Sequence, residues 1–202
     1  VGNRPTVEVD PSGRALSAAD RALVARCSKK IDAAINKVCG ALRSKAARQI
    51  AYQCICTVYV PEGPKVANPT TEGQHILNCL LRWCNKPAVS PRFQILVPYD
   101  PSKCPIWYGI SPLEFGAWKE ACGATKVGIG SLGAIGICPL SCTGPSWQCN
   151  NNAMRETTVL HEAIHLCQPK YKPPAPAWVE RTAYDTSGCI LRGLRAAGLL
   201  KK

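Results

Sequence analysis

His161, Glu162 and His165, within the stretch TTVLHEAIHLCQ that begins at Thr157, combine side-chain types and a spacing suited to metal chemistry. Histidines at positions i and i+4 of a helix project from one side, a turn apart, near enough to share a single tetrahedral ion. The glutamate at i+1 points beside that ion, where a carboxylate can take a proton from a metal-activated water. Val159, Leu160, Ile164 and Leu166 surround the motif and predict a buried helix, with the asparagines at 150–152 marking its N-terminal boundary. Two core histidines satisfied by hydrogen bonds beside a stray glutamate would give the same letters, so a third ligand has to be sought.

A catalytic zinc ion takes three protein side chains and keeps its fourth position open. Downstream lies KYKPPAPAWVERTAYDTSGCILRGLRAAG, in which the proline-rich segment 172–176 predicts a turn and 177–197 a helix closed by Gly198. Glu180 falls in the first turn of that helix, on a face shared with Tyr184. A helix returning after the turn would set Glu180 against the two histidines.

On these residues the chain resembles the zincin metallopeptidases, in particular the gluzincin type, whose pattern is H-E-x-x-H followed by a glutamate ligand on a later helix. The resemblance implies His161, His165 and Glu180 as ligands of one Zn2+ per chain and Glu162 as the general base, and it covers about residues 156–190. The segment ERTAYDTSGC is also similar to the downstream part of metallopeptidase domains in secreted bacterial toxins and effectors. Two features depart from the family. Its best-known members carry an aspartate four residues after the glutamate ligand, where this chain has Tyr184, and the acid comes one position later as Asp185. Asp185 is the rival third ligand, as in aspartate-using zincins, although RTAYD lacks their Gly-Thr pair; with Glu180 as ligand, Asp185 would instead orient a histidine. Tyr184 and Tyr171 are open between packing and donation to an oxyanion. No third histidine follows, which excludes the metzincin pattern, and His75 has no partner nearby in sequence.

The elements that must position these groups are held, on this reading, by cysteines. Thirteen in 202 residues point to disulfides and an oxidising compartment, secreted or periplasmic. No C-x-x-C pair supports a zinc ribbon or finger, and an odd count leaves one thiol free or paired to another chain. We expect Cys167 and Cys189 to pair and clamp the two ligand helices, with a free Cys167 as the alternative. Cys27, Cys39, Cys54 and Cys56 would staple two N-terminal helices across 17–57, the first capped by Ser17 with Asp20 and ending near Gly40. Shorter elements are predicted over 75–83 as helix, 92–100 as extended chain, and from Ser111, with Glu114, as a capped helix. Gly128, Gly130 and Gly133 satisfy G-x-G-x-x-G, but AIGICPLSC after them starts no helix, so a glycine-rich strand or loop is expected rather than a dinucleotide site.

Composition narrows the partners. With 46% apolar residues the chain can bury a sizeable core, and we expect one domain over 1–202, a disulfide-stapled helical part over 1–100 and a catalytic part over 101–202. The fold class expected is α+β, mainly helical and zincin-like. Twenty-five basic against 13 acidic side chains give a net charge of +12, which favours acidic targets, a cell-wall peptide among them. The densest basic cluster, from Arg26, has no aromatic residue for stacking bases, so no nucleic-acid partner is expected. The longest uncharged run, from Val127, is broken by Gly, Pro and Asn, so no membrane insertion is expected either. The start VGNRPTVEVDPSG reads as a chain whose secretion signal has been removed, or as a domain taken from something longer. The sequence thus describes an exported zinc metallopeptidase that hydrolyses peptide bonds with a zinc-activated water. Its alternative is a disulfide-rich binding or toxin-type module with a structural or inactive H-E-x-x-H helix, or one that adheres to anionic polymers by charge.

Overall fold

Ser17 begins the first helix as expected: its hydroxyl accepts from the Asp20 backbone N–H at 3.1 Å while Asp20 reaches back to the Ser17 N–H. The structure, a computed structural model, describes residues 16–59, 69–86, 92–95, 123–124, 135–138, 140–143, 150–168 and 177–201. Within them the chain is mainly helical. Helix α1 spans Ala18–Ala41, α2 Lys45–Cys54 with a π-helical extension Ile55–Tyr59, and α3 Pro69–Cys84. Three short strands follow, β1 Phe93–Ile95, β2 Gly123–Ala124 and β3 Ile135–Ile137, then a one-turn helix α4, Leu140–Thr143. The two helices that carry the motif residues are α5, Asn152–Cys167, and α6, Ala177–Ala196.

Gly40 does not break α1. The turn comes after it, where Ser44 caps α2 by accepting from the Ala47 N–H at 3.1 Å. The helix expected over 75–83 is longer at both ends, and the extended segment from 92 is described only to 95. The helix expected from Ser111, Tyr171 and the glycines at 128, 130 and 133 lie outside the described residues. The strands form a sheet in the order β1-β3-β2, β1 parallel and β2 antiparallel to β3. Ile135 and Ile137 of β3 are fully buried and join one apolar cluster with α1, α3, α5 and α6.

The cysteine pairing corrects the sequence reading. Cys27 bonds Cys142, Cys39 bonds Cys84, Cys54 bonds Cys189 and Cys79 bonds Cys167, while Cys56 is free. The N-terminal cysteines therefore tie α1 and α2 to other elements rather than to each other, and Cys167 is neither free nor joined to Cys189. The reason lies in the register of α5 and α6. Gln168 meets Val179 and Thr182 while Glu156 meets Arg195, so α5 and α6 run antiparallel. Cys167 is level with the start of α6, and Cys189 lies about nine residues, roughly 13 Å, further along it, far beyond the reach of a disulfide. Cys189 faces α2 instead, and that packing is close. A Cβ on Gly193 would stand 2.6 Å from Ile50. The disulfides imply an oxidising compartment, and among the described residues no helix is long and apolar enough to cross a membrane.

Candidate metal centre

Helix α5 is capped and packed into the core. Asn151 caps it by accepting from the Met154 N–H at 2.8 Å, and Val159, Leu160, Ala163 and Ile164 are fully buried around the motif. His161 and Glu162 are themselves buried, and His165 less completely. The far side of the site is α6, whose end is fixed by Gly198 at φ 68° with Leu199 N–H donating to Leu194 O at 2.9 Å, the capping turn expected there.

His161, His165 and Glu180 converge. Glu180 Oε1 is 2.8 Å from His161 Nε2 and its Oε2 is 3.0 Å from His165 Nε2, with the two Nε2 atoms 3.0 Å apart. The rings meet edge to face at 4.5 Å between centroids. Two imidazole nitrogens do not face each other at 3.0 Å with both lone pairs bare; hydrogens donated to Glu180 or a shared cation relieve the contact. Donors bound at about 2.0–2.1 Å to a tetrahedral zinc stand about 3.3–3.4 Å apart, so the set needs to open by only about half an ångström to hold one. The donor types, two imidazoles and a carboxylate, fit zinc. Among the described residues His161, His165 and Glu180 are grouped closely enough to hold one metal ion. The carboxylate of Glu162 is buried beside it, 3.9 Å from His161 Nε2.

Electrostatics ties the three together. Burial alone would lower the His165 pKa, but the hydrogen bond to Glu180, the charges of Glu162 and Glu180, and the hydrogen bond to Gln168 lift it from 6.5 to about 9. For Glu180, burial acts upward and is outweighed by hydrogen bonds and charge from both histidines, which hold its carboxyl well below the usual 4.5. Without a metal the site is thus an imidazolium–carboxylate pair at neutral pH.

Asp185 is not part of the cluster. Five residues beyond Glu180 it points to another side of α6 and pairs with Arg181 at 3.6 Å. Tyr184, at i+4 from Glu180, keeps the same face; its ring lies 6.3 Å from that of His161 and is 60% exposed. His75 sits on α3 with Asn78, Leu81, Arg82 and Asn85 along a shallow groove, outside the cluster. Two residues that the sequence reading passed over bind along the same helices, Gln168 at the site and Glu156 at the far end of the pair. Gln168 Oε1 is 2.7 Å from His165 Nδ1, a contact that its i+3 spacing made available. Glu156, buried, binds Lys37 at 2.6 Å and Arg195 at 2.7 Å, a long-range arrangement with no local signal. No protein-family model, curated protein or solved structure matches the chain.

Proposed function

We infer that the protein is an exported, zinc-dependent hydrolase of peptide bonds, with a zincin-like catalytic centre in which His161, His165 and Glu180 hold the metal and Glu162 is the general base. The observation that carries this reading is the convergence of three donor groups from two helices, with a second carboxylate, that of Glu162, buried beside them. A zinc ion held there would supply Lewis acidity to a water and to the scissile carbonyl. The chain's own part is to fix the histidines on a buried helix, bring Glu180 across from α6, and hold Glu162 where it can take the proton of the attacking water and hand it to the leaving amine. The exposed flank at Tyr184 leaves an approach for an extended peptide beside His161. The net charge of +12 favours an acidic one, such as a cell-wall peptide.

The test is incubation of the zinc-supplemented protein with a mixed peptide library, read by mass spectrometry. Cleavage that stops with a chelator and in Glu162→Gln supports the reading. No cleavage of any peptide by a protein that holds zinc favours the binding or toxin-type module with an inactive helix.

A further inference from the structure

Gln168 ends α5 and is buried, its backbone N–H donating to Ile164 O at 3.0 Å and its neighbour Cys167 bonded to Cys79 on α3. Its side-chain amide lies between the two ligand segments. Nε2 is 3.1 Å from Val179 O and 3.4 Å from Thr182 Oγ1, and Oε1 is 2.7 Å from His165 Nδ1. The orientation of this amide is not a free choice. A backbone carbonyl only accepts, so the NH2 group must face Val179 O. The Thr182 hydroxyl gives its proton to the same carbonyl at 3.1 Å, which leaves its oxygen to accept the second amide hydrogen. Gln168 Oε1 can therefore only accept, and His165 Nδ1 must carry a hydrogen.

Resting on the zinc reading above, we propose that Gln168 is a positioning residue: through Val179 O it fixes His165 in the form with Nδ1 protonated, so that Nε2 presents its lone pair to the metal beside Glu180. Glu180 follows Val179 directly in the chain, so the contacts close a loop from Glu180 to His165, Gln168, Val179 and back. Placing one ligand places the other. A partner on the second ring nitrogen of a metal-bound histidine sets its tautomer and orientation, and removing such a partner weakens metal binding about 10- to 100-fold. His161 has no such support among the described residues, since its Nδ1 is buried without a partner. The locking is confined to the histidine that Gln168 reaches.

Two variants separate the parts of this arrangement. Gln168→Met keeps the length of the side chain and loses the amide; Gln168→Glu keeps an acceptor for His165 Nδ1–H and loses the donors to Val179 O and Thr182. Zinc dissociation constants, measured by competition with a chromogenic chelator, should rise about 10- to 100-fold in Gln168→Met and by less, though measurably, in Gln168→Glu, which keeps the acceptor for His165 and loses the anchor on Val179 O. In the imidazole 15N–1H spectrum of the zinc-loaded wild type, His165 should show a slowly exchanging Nδ1–H. That signal is read without any variant, so its absence overturns the proposal even where Gln168→Met does not fold. Wild-type affinity in Gln168→Met, or equal loss in both variants, overturns it too while leaving the zinc reading standing. A wild-type protein that binds no zinc ends both.

Discussion

The α5–α6 pair holds a charged cluster at each end. At one end Glu156 is held by Lys37 and Arg195, an ammonium and a guanidinium that only donate and offer no lone pair to a metal. At the other, Glu180 is held by His161 and His165, whose ring nitrogens can turn from donating to the carboxylate to ligating a metal. The same two helices therefore carry a permanent tie and an exchangeable one. In the second, a divalent ion can take the place of a proton without stranding a buried charge; in the first, any such exchange would leave Lys37 and Arg195 opposed to it. This contrast explains why only one end is a candidate for chemistry although both are built on buried carboxylates.

The contrast can be broken most severely by removing one carboxylate at a time. Glu162→Gln should lower peptide hydrolysis about 10^2- to 10^4-fold with zinc content unchanged, as expected for loss of a general base. Glu156→Ala should leave zinc stoichiometry unchanged, so loss of the metal from that variant would mean that the two ends are not separable. Next in size is the pH dependence of zinc binding. Because His165 carries a proton up to about pH 9 in the metal-free protein, binding must release it, and affinity should rise with pH by up to about tenfold per unit between 7 and 9. Chelator competition at three pH values checks this, and a flat profile would mean that His165 is not a ligand.

The permanent tie is measured by stability. Glu156→Ala leaves Lys37 and Arg195 without their buried anion, but both side chains are about 30% exposed and can turn to water, so the expected cost is about 2 kcal/mol. Denaturant unfolding checks it, and a change below about 0.5 kcal/mol would show the triad to be incidental. The smallest effect concerns the exchangeable end without metal. The His165 pKa is raised in the fold from 6.5, so its contribution to stability is fully present below pH 6.5 and is lost as pH rises through about 9. The Glu180 pKa is lowered, so its contribution is present above about 4.5 and is lost as pH falls below that value. Metal-free protein should owe most to this pair between pH 4.5 and 6.5. His165→Ala should lower the melting temperature between pH 4.5 and 6.5 and remove the decline from pH 6.5 to 9, and an unaltered pH profile would deny the pair a role.

These two clusters also mark what a linear reading can reach. Helix periodicity alone places His161 and His165 together, and the proline-rich segment 172–176 was enough to suggest that Glu180 returns to them. The same periodicity separates Glu180 from Asp185, since five residues of helix turn the second carboxylate away, toward Arg181. Gln168 was within reach by its spacing from His165, but its role depends on Val179 O, which belongs to another helix. Cysteine pairing was misjudged for a related reason. Cys167 and Cys189 are both next to the site in sequence terms, yet only the antiparallel register of α5 and α6 reveals that they are about 13 Å apart along the axes. The triad at Glu156 joins α1, α5 and α6 over 119 and 39 residues of chain, and no local pattern encodes that meeting.

The central claim is that three side chains, from two helices, hold one zinc ion. Elemental analysis of protein purified without added metal and then supplemented with zinc tests it most directly, with wild type beside His165→Ala, Glu180→Ala and Asp185→Ala. One zinc per chain in wild type and Asp185→Ala, lost or much weakened in the other two, is the predicted result. Zinc absent from all four, or retained by Glu180→Ala and lost from Asp185→Ala, would contradict the account.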